Sequence, residues 1–155
     1  MTSSFEQRIV ELGIELPKPP KPVASYVATH QIGKLLYISG QLCLAPDGKL
    51  VATGSLGDNV SVESGILAAR AAAINVVAQA KQALQGLDKI KRVVRLGGFI
   101  SASPSFSEHA RVMNGASDLI VEIFAEQGRH TRSTIGVSSL PLQAAVEVEA
   151  LFELH

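Results

Sequence analysis

The sequence Thr131-Arg132-Ser133-Thr134-Ile135-Gly136-Val137, followed after Leu140-Pro141 by Ala145-Val146-Glu147-Val148-Glu149-Ala150, carries the strongest fold signal in the chain. Both runs are rich in β-branched and apolar residues, and the segment between them carries a turn signal, so they predict a β-hairpin. Side chains alternate between the two faces of a strand. Glu147 and Glu149 therefore share one face, which is a site or solvent, while the apolar residues between them point to the core.

These strands contain isolated charges that suit chemistry on small acids. The guanidinium of Arg132 can bind a carboxylate through two parallel hydrogen bonds, and a carboxylate such as Glu147 can accept a proton or orient a water. Two alternatives stay open: Arg132 could be a charge on an exposed edge strand, and both glutamates could face solvent. A simple hairpin places Arg132 nearer Leu151 than Glu147, so their meeting requires sheet curvature or a neighbouring subunit.

Composition predicts one globular domain without a nucleic-acid bias. The chain has 155 residues, of which 46% are hydrophobic and 18% charged, and 14 basic side chains balance 14 acidic ones. A chain of this size can bury a continuous core, and zero net charge removes the long-range attraction on which phosphate binding relies. We expect an N-terminal helix and proline-rich strap over residues 1–22 and a single α+β domain over residues 23–155.

Cysteine and histidine usage predicts no metal site and no cofactor. Cys43 is the only cysteine, which excludes an intrachain disulfide or a thiol cluster, and the four histidines lack metal-ligand spacing. His109 and His130 are interpreted as surface or interface residues. The first residues do not resemble a signal peptide, and no apolar run reaches the roughly 20 residues that cross a bilayer. We therefore expect a cytoplasmic protein without a membrane partner.

Apolar spacing and turn residues divide the chain into elements. The glycines at positions 97 and 98 indicate a bend, a bulge or a close backbone contact in their strand. The predicted elements are a short N-terminal helix ended by Gly13, strands Val23 to Thr29 and Lys34 to Ser39 around a turn at Gly33, a helix capped by Ser61 and running to about Gln85, a strand from Ile90 to Ser101, a helix begun by a Ser105-Phe106-Ser107-Glu108 capping box and running to about Glu126, and the two final strands.

The resulting β-β-α-β-α-β-β order predicts an α+β fold with both long helices on one side of the sheet. No third long helix exists to cover the opposite face. Self-association through that face is the simplest way to bury it, and closed symmetric assemblies are the usual result.

Several short motifs, taken in order, resemble the reactive intermediate deaminase family, also called the YjgF family. The resemblance spans roughly Val23 to Leu154, and it implies a chorismate-mutase-like α+β fold, homotrimers and active sites in clefts between subunits. Its best-known members hydrolyse enamines and imines. The motifs are Tyr26, Ile38-Ser39-Gly40-Gln41, Asn114, Arg132-Ser133, Leu140-Pro141 and Val146-Glu147-Val148-Glu149-Ala150.

The resemblance also implies roles for particular residues. Arg132 corresponds to the arginine that binds the substrate carboxylate, and Glu147 corresponds to the glutamate that orients the attacking water. Thr134 stands where the family often has cysteine, so a backbone role is kept there and thiol chemistry is not. The segment Gly128 to Ser133 resembles a less characterised branch. The other pocket residues implied are Tyr26, Ser39, Gly40, Asn114 and Thr134.

Three classes of function follow. The first is hydrolytic deamination of a 2-aminoacrylate-like enamine or imine to a 2-keto acid and ammonia, without a metal or cofactor. The second is a non-catalytic trimer that binds a small carboxylate in the same pocket. The third is a ribonuclease or translation inhibitor, which the zero net charge and the scarcity of aromatic residues disfavour, because single-stranded RNA sites combine basic grooves with stacking rings.

Overall fold

One five-stranded sheet and the helices that pack on it form the fold. The computed structural model describes residues 4–19, 21–22 and 24–155. Its elements are α1 (Ser4–Glu11), β1 (Thr29–Ile32), β2 (Leu35–Leu42), α2 (Val62–Leu84), β3 (Ile90–Ser101), α3 (His109–Phe124), β4 (Thr131–Val137) and β5 (Val146–Leu154), with short 3-10 helices at Ala125–Gly128 and Pro141–Gln143.

The strand order is β1-β2-β5-β3-β4, and this order corrects the predicted hairpin. β4 pairs in parallel with β3, while β5 lies between β2 and β3 and is antiparallel to both. β4 and β5 are therefore not neighbours. The apolar positions of β5 explain its central place, since Val146 and Val148 are fully buried and a central strand buries such side chains best.

Helices α2 and α3 cover one face of the sheet, as predicted. Ser61 caps α2, because its side chain accepts a hydrogen bond from the backbone N–H of Ser64. The two helices approach closely at Gly115, where an added Cβ would lie 2.9 Å from the carbonyl carbon of Ile66. Alanines on the sheet side of α2 are fully buried, which allows the helix to lie close to the strands.

The first hairpin forms later in the chain than predicted. Val23, the predicted start of the first strand, lies outside the described residues, and β1 begins only at Thr29. Ile32 pairs with Leu35, so the connection is a two-residue loop in which Gly33 has a φ of 56°. A tight loop of this kind lets β1 continue to the turn, where the sequence predicts a longer loop.

The predicted capping box at the start of α3 does not form. α3 begins at His109, and Glu108 occupies the N-cap position without a side-chain capping hydrogen bond. The preceding residues form a turn instead, in which the N–H of Phe106 donates to the carbonyl of Ser103. The helix ends at Phe124 and continues as a 3-10 turn to Gly128, where the sequence predicts an α-helix through Glu126.

The N-terminal helix packs against the main body of the fold. Phe5 contacts Phe124 with ring centroids 4.9 Å apart, and Ile9 of α1 is buried. Glu6 forms an ion pair with Lys81 of α2 at 3.1 Å. Among the described helices, none combines the length and apolar character that crossing a membrane requires.

Candidate functional site

Arg132 lies on the helix-covered face of the sheet, near its edge. Leu96 of β3 is paired with both Arg132 and Ala150, and residues paired across strands point to the same face. The guanidinium reaches α3, where Nη1 donates to Asn114 Oδ1 at 2.9 Å and to Ser117 Oγ at 3.0 Å, and Nη2 donates to the carbonyl of Ala110 at 3.3 Å. One end of Arg132 is thus fixed by helix α3.

The remaining edge of Arg132 suits a carboxylate ligand. A guanidinium has five N–H donors, and these contacts use two on Nη1 and one on Nη2. The N–H of Nε and one N–H of Nη2 have no partner within the described part of the chain. Two such donors on a planar group match the two oxygens of a carboxylate, and charge-assisted pairs of this kind are strong.

His130 extends the hydrogen-bond network of Arg132 through Ser117. Its Nδ1 lies 2.6 Å from the carbonyl of Gly128, and its Nε2 lies 2.9 Å from Ser117 Oγ. Burial lowers the pKa of His130, and the positive charge of Arg132 lowers it further, while the bond to Gly128 acts in the opposite direction. The ring is partly buried within the chain and bonded to α3, and the interpretation of His130 as a surface or interface residue stays a prediction.

Thr134 follows Arg132 on the same face of β4. Its hydroxyl oxygen is buried and is the one buried side-chain oxygen or nitrogen of the described residues that has no hydrogen-bond partner. Thr134 is paired with Gly98, whose missing side chain leaves room for Met113. Because β4 is the last strand of the sheet, one side of its backbone is free to meet another molecule.

Glu147 lies on the opposite face of the sheet. Phe99 of β3 is paired with both Ile135 and Glu147, so these three residues share one face of the sheet. The alternate residues of β5, Val146 and Val148, are buried under the helices on the other face. We call the face opposite α2 and α3 the open face, and it carries Tyr37, Ile135, Glu147 and Glu149. Burial raises the pKa of Glu147, and the neighbouring charge of Glu149 raises it further.

Two glycines make room for these acids. An added Cβ at Gly40 would lie 2.8 Å from Cδ of Glu147, and one at Gly97 would lie 2.7 Å from Oε1 of Glu149. The glycines at 97 and 98 therefore mark close contacts on the two faces of β3. The bulges in the pairing of β3 with β5 lie elsewhere, between Ile90 and Arg92 and between Val93 and Arg95.

Tyr26 and Gly40 line a small cavity of about 130 Å³ next to the bulge in β2. Its polar wall is formed by buried amides: Gln79 donates to Gln41, and Asn75 donates to the carbonyls of Leu42 and Leu44. Ser39 is not part of this lining. Its hydroxyl donates to the carbonyl of Val27 at 2.7 Å and so holds the segment before β1.

The structure brings some of the implied site residues together and separates others. Arg132 contacts Asn114, while Tyr26 and Gly40 share the small cavity and Glu147 lies beside Gly40. Arg132 and Glu147 lie on opposite faces of the sheet, two strands apart, so they do not face the same space within one chain.

The sequence reasoning named Gln41 as part of a motif but missed Ser117 and the buried amides of Asn75 and Gln79. Ser117 lies three residues after Asn114, and residues with this spacing share one face of a helix, so the pair could have been found from that spacing. The amides have no such signal, because Gln41 and Gln79 are 38 residues apart. Within the described ranges, no three histidine, cysteine, aspartate or glutamate side chains cluster in a way that could hold a metal ion.

The fold and the sequence together define the class of protein. The family described as "YjgF/chorismate_mutase-like, putative endoribonuclease" matches residues 6–154, almost the whole chain. The chain therefore belongs to the YjgF-like Rid family and has its chorismate-mutase-like fold, as the motif order indicates. The mixed five-stranded sheet with α2 and α3 on one face is this fold.

Individual similar proteins come from several organisms. Protein TCP17 of Trypanosoma cruzi is 49% identical over 145 residues, covering 93% of this chain and 90% of the relative. A 2-iminobutanoate/2-iminopropanoate deaminase of Dermatophagoides farinae is 29% identical over 140 residues, covering 89% and 92%. The crystal structure of Atu1372, a protein of unknown function from Agrobacterium tumefaciens, superimposes with a TM-score of 0.90 at 44% identity, covering 98% of this chain and 94% of that one.

Proposed function

We propose that this protein hydrolyses reactive enamines and imines that carry a carboxylate, such as 2-aminoacrylate, to 2-keto acids and ammonia. One observation carries the proposal: Arg132 is held by α3 through three hydrogen bonds, with two donors left for a carboxylate. Membership of the Rid family supports it, as does the name of the Dermatophagoides farinae relative, which states a deaminase of 2-imino acids.

The chemistry needs few groups. The enamine first moves a proton to carbon and becomes an imine, whose carboxylate pairs with Nε and Nη2 of Arg132. Water then adds to the C=N carbon as Glu147 takes one of its protons and passes it to the nitrogen, which gives a carbinolamine. The remaining hydroxyl proton then moves to the nitrogen, so that the C–N bond breaks, ammonia leaves and a C=O bond forms. General acid-base help of this kind is worth ~10²- to 10⁴-fold, and the raised pKa of Glu147 brings its basicity closer to neutral pH.

A second copy of the chain completes the site in this proposal. Arg132 and Glu147 lie on opposite faces of one sheet, so a ligand that meets both must lie between chains. The open face carries Ile135, which is 50% exposed, and Tyr37, which is 46% exposed. Burial of this face against neighbouring copies gives the homotrimer that is typical of the family, with Arg132 of one chain near Glu147 of another.

The test is release of keto acid from 2-aminoacrylate or 2-iminobutanoate generated in situ. We expect wild type to accelerate release and Arg132→Ala to lose at least ~100-fold of kcat/KM, because a bidentate charge-assisted pair and the orientation that it provides are both removed. Arg8→Ala is the matched control, since Arg8 is exposed on α1, which packs against α2 and α3 and not on the open face. Equal activity of wild type and Arg132→Ala would contradict the proposal.

A second candidate function is carboxylate binding without catalysis. One observation favours it. Arg132 is fixed by contacts within its own chain, whereas Glu147 of the same chain lies on the opposite face of the sheet and cannot reach a ligand bound at Arg132. In this case 2-oxobutanoate binds to wild type and not to Arg132→Ala, while imines decay at the rate of the buffer alone. The same protein samples serve both measurements.

A further inference from the structure

His130 has a defined tautomer in this structure. Its Nδ1 lies 2.6 Å from the carbonyl of Gly128, and a carbonyl oxygen only accepts hydrogen bonds, so Nδ1 carries a hydrogen. In the neutral ring Nε2 then has a lone pair. Ser117 Oγ lies 2.9 Å from this nitrogen, so the serine hydroxyl donates to Nε2.

Ser117 also contacts Arg132 on its other side. Its oxygen accepts from Nη1 of Arg132 at 3.0 Å, since a guanidinium has donors only. The hydrogen bonds therefore run in one direction, from Arg132 to Ser117, from Ser117 to His130 and from His130 to Gly128. Hydrogen bonds in such a chain polarise one another.

We propose that Ser117 and His130 are positioning residues that hold the Nη1 end of Arg132 and so present its Nε and Nη2 edge to the substrate carboxylate, in the neutral state of His130 only. This inference rests on the proposed function, because it assigns a purpose to the edge of Arg132 that the protein leaves free. Asn114 and the carbonyl of Ala110 complete the clamp, and neither of them titrates.

Protonation of His130 reverses the hydrogen bond between His130 and Ser117. A hydrogen on Nε2 removes the acceptor of the Ser117 hydroxyl, and the serine oxygen then faces a donor from His130 as well as one from Arg132. It also places a second positive charge beside the guanidinium. Burial already disfavours that charge and lowers the pKa of His130.

The surroundings of His130 offer no compensating negative charge. From β4 it meets Arg132, from α3 the hydroxyl of Ser117, and from the 3-10 turn the carbonyl of Gly128. In that turn Glu126 is exposed and pairs with Arg129 at 3.3 Å. Among the described residues, no carboxylate forms an ion pair with the His130 ring.

Binding of 2-oxobutanoate as a function of pH tests the proposal. The Glu147→Gln protein is the background, so that the acid with the raised pKa does not titrate in the same range. In this background we expect the affinity for 2-oxobutanoate to fall as the pH drops below 6.5, the ordinary pKa of histidine, and through the lowered pKa of His130. Adding Ser117→Ala weakens binding about tenfold at neutral pH, the loss expected for one hydrogen bond to a charged group, and removes the pH step.

Matched variants separate positioning from folding. Ser117→Thr keeps the hydroxyl and is expected to keep both the affinity and the pH step. His130→Gln weakens binding about threefold and has no step, and Ser107→Ala, at an exposed serine before α3, behaves like the background protein. The nitrogen chemical shifts of the His130 ring provide a second readout: we expect the neutral Nδ1–H tautomer in both wild type and Ser117→Ala, because the Gly128 carbonyl sets it, and a shifted Nε2 signal in Ser117→Ala, because Nε2 loses its hydrogen-bond donor.

The outcomes distinguish this inference from the proposed function. If Arg132→Ala abolishes 2-oxobutanoate binding while Ser117→Ala and His130→Gln bind like the background at every pH, the positioning role is overturned and the carboxylate site stands. If Arg132→Ala binds as well as wild type, the proposed function itself fails. A neutral His130 ring with its hydrogen on Nε2 would contradict the proposed direction of the hydrogen bonds from Arg132 through Ser117 to His130.

Discussion

The two halves of the candidate site differ in how their charges are held. Arg132 is tied to α3 by hydrogen bonds to two side chains and one carbonyl. Glu147 lies on the open face beside Gly40, where burial and the charge of Glu149 both act against its ionised form. The half that contains Arg132 is preorganised to bind an anion. The half that contains Glu147 has a carboxyl group with a raised pKa, so it keeps its proton to a higher pH than an ordinary glutamate.

On the proposed function, one chain builds the carboxylate-binding half of the site, and the half that carries the proposed base is completed by a second copy. A guanidinium fixed at one end loses little entropy when a ligand binds, because its orientation is already set. A carboxylate with a raised pKa is a stronger base than an ordinary one, but it acts only on a proton within hydrogen-bond reach, so it needs a substrate held beside it.

The largest effect is expected from breaking the assembly at the open face. Ile135→Asp places a charge at an aliphatic position that the proposed contact between copies buries, so we expect the particle to fall to the mass of one chain and imine hydrolysis to be lost. Light scattering after gel filtration measures the mass. Leu67→Asp, at a residue that is 58% exposed on α2, is the control and is expected to leave mass and activity unchanged. A monomeric wild type would contradict the proposed assembly.

Removal of the base is expected to have the next largest effect. Glu147→Gln keeps size and shape but cannot take a proton, so kcat for imine hydrolysis should fall by ~10²- to 10⁴-fold while 2-oxobutanoate still binds at Arg132. Stopped-flow measurement of keto-acid release gives the rate. Glu149→Gln, on the same face two residues along, should change kcat less than about threefold, and a larger loss there would exchange the roles of the two acids.

A methyl group at Gly40 probes the position of the Glu147 carboxylate. The added Cβ would meet this carboxylate, which is the movable end of a side chain, so the fold tolerates Gly40→Ala and the acid shifts. We expect kcat to fall about tenfold and the urea midpoint of unfolding to stay near that of wild type, since a displacement of ~1 Å at a reacting group costs up to 10²-fold. A large drop in the urea midpoint with unchanged kcat would show that Gly40 serves packing instead.

The smallest effect is a shift in pH dependence. In the proposed mechanism Glu147 acts as a base only when ionised, so we expect activity to fall as the pH drops through its pKa. The raised pKa places this acid limb above the usual value of 4.5. Glu149→Gln removes the second cause of the rise and leaves burial, the larger one. The acid limb of kcat should therefore move to lower pH in Glu149→Gln without reaching the usual range. An unmoved limb would show that the two carboxylates do not interact.

Elements with a clear local signal were predicted well from the sequence. The strand Ile90–Ser101 and the cap at Ser61 were placed correctly, because a periodic apolar run and a capping serine act within a few residues. The capping box before His109 failed because Ser103 and Phe106 form a competing turn. The first strand was misplaced because the two-residue loop at Gly33 lets β1 reach the turn.

The sequence by itself determined the family, the α+β class and the helix-covered face, and it supplied the candidate site residues Arg132, Asn114 and Glu147, whose roles stay a prediction. These depend on spacing and chemistry along the chain. Only the tertiary structure placed β5 between β2 and β3, Arg132 and Glu147 on opposite faces, and Ser117 with His130 behind Arg132. Strand order and contacts between distant residues depend on which surfaces bury the most apolar area together, and no local pattern encodes that choice.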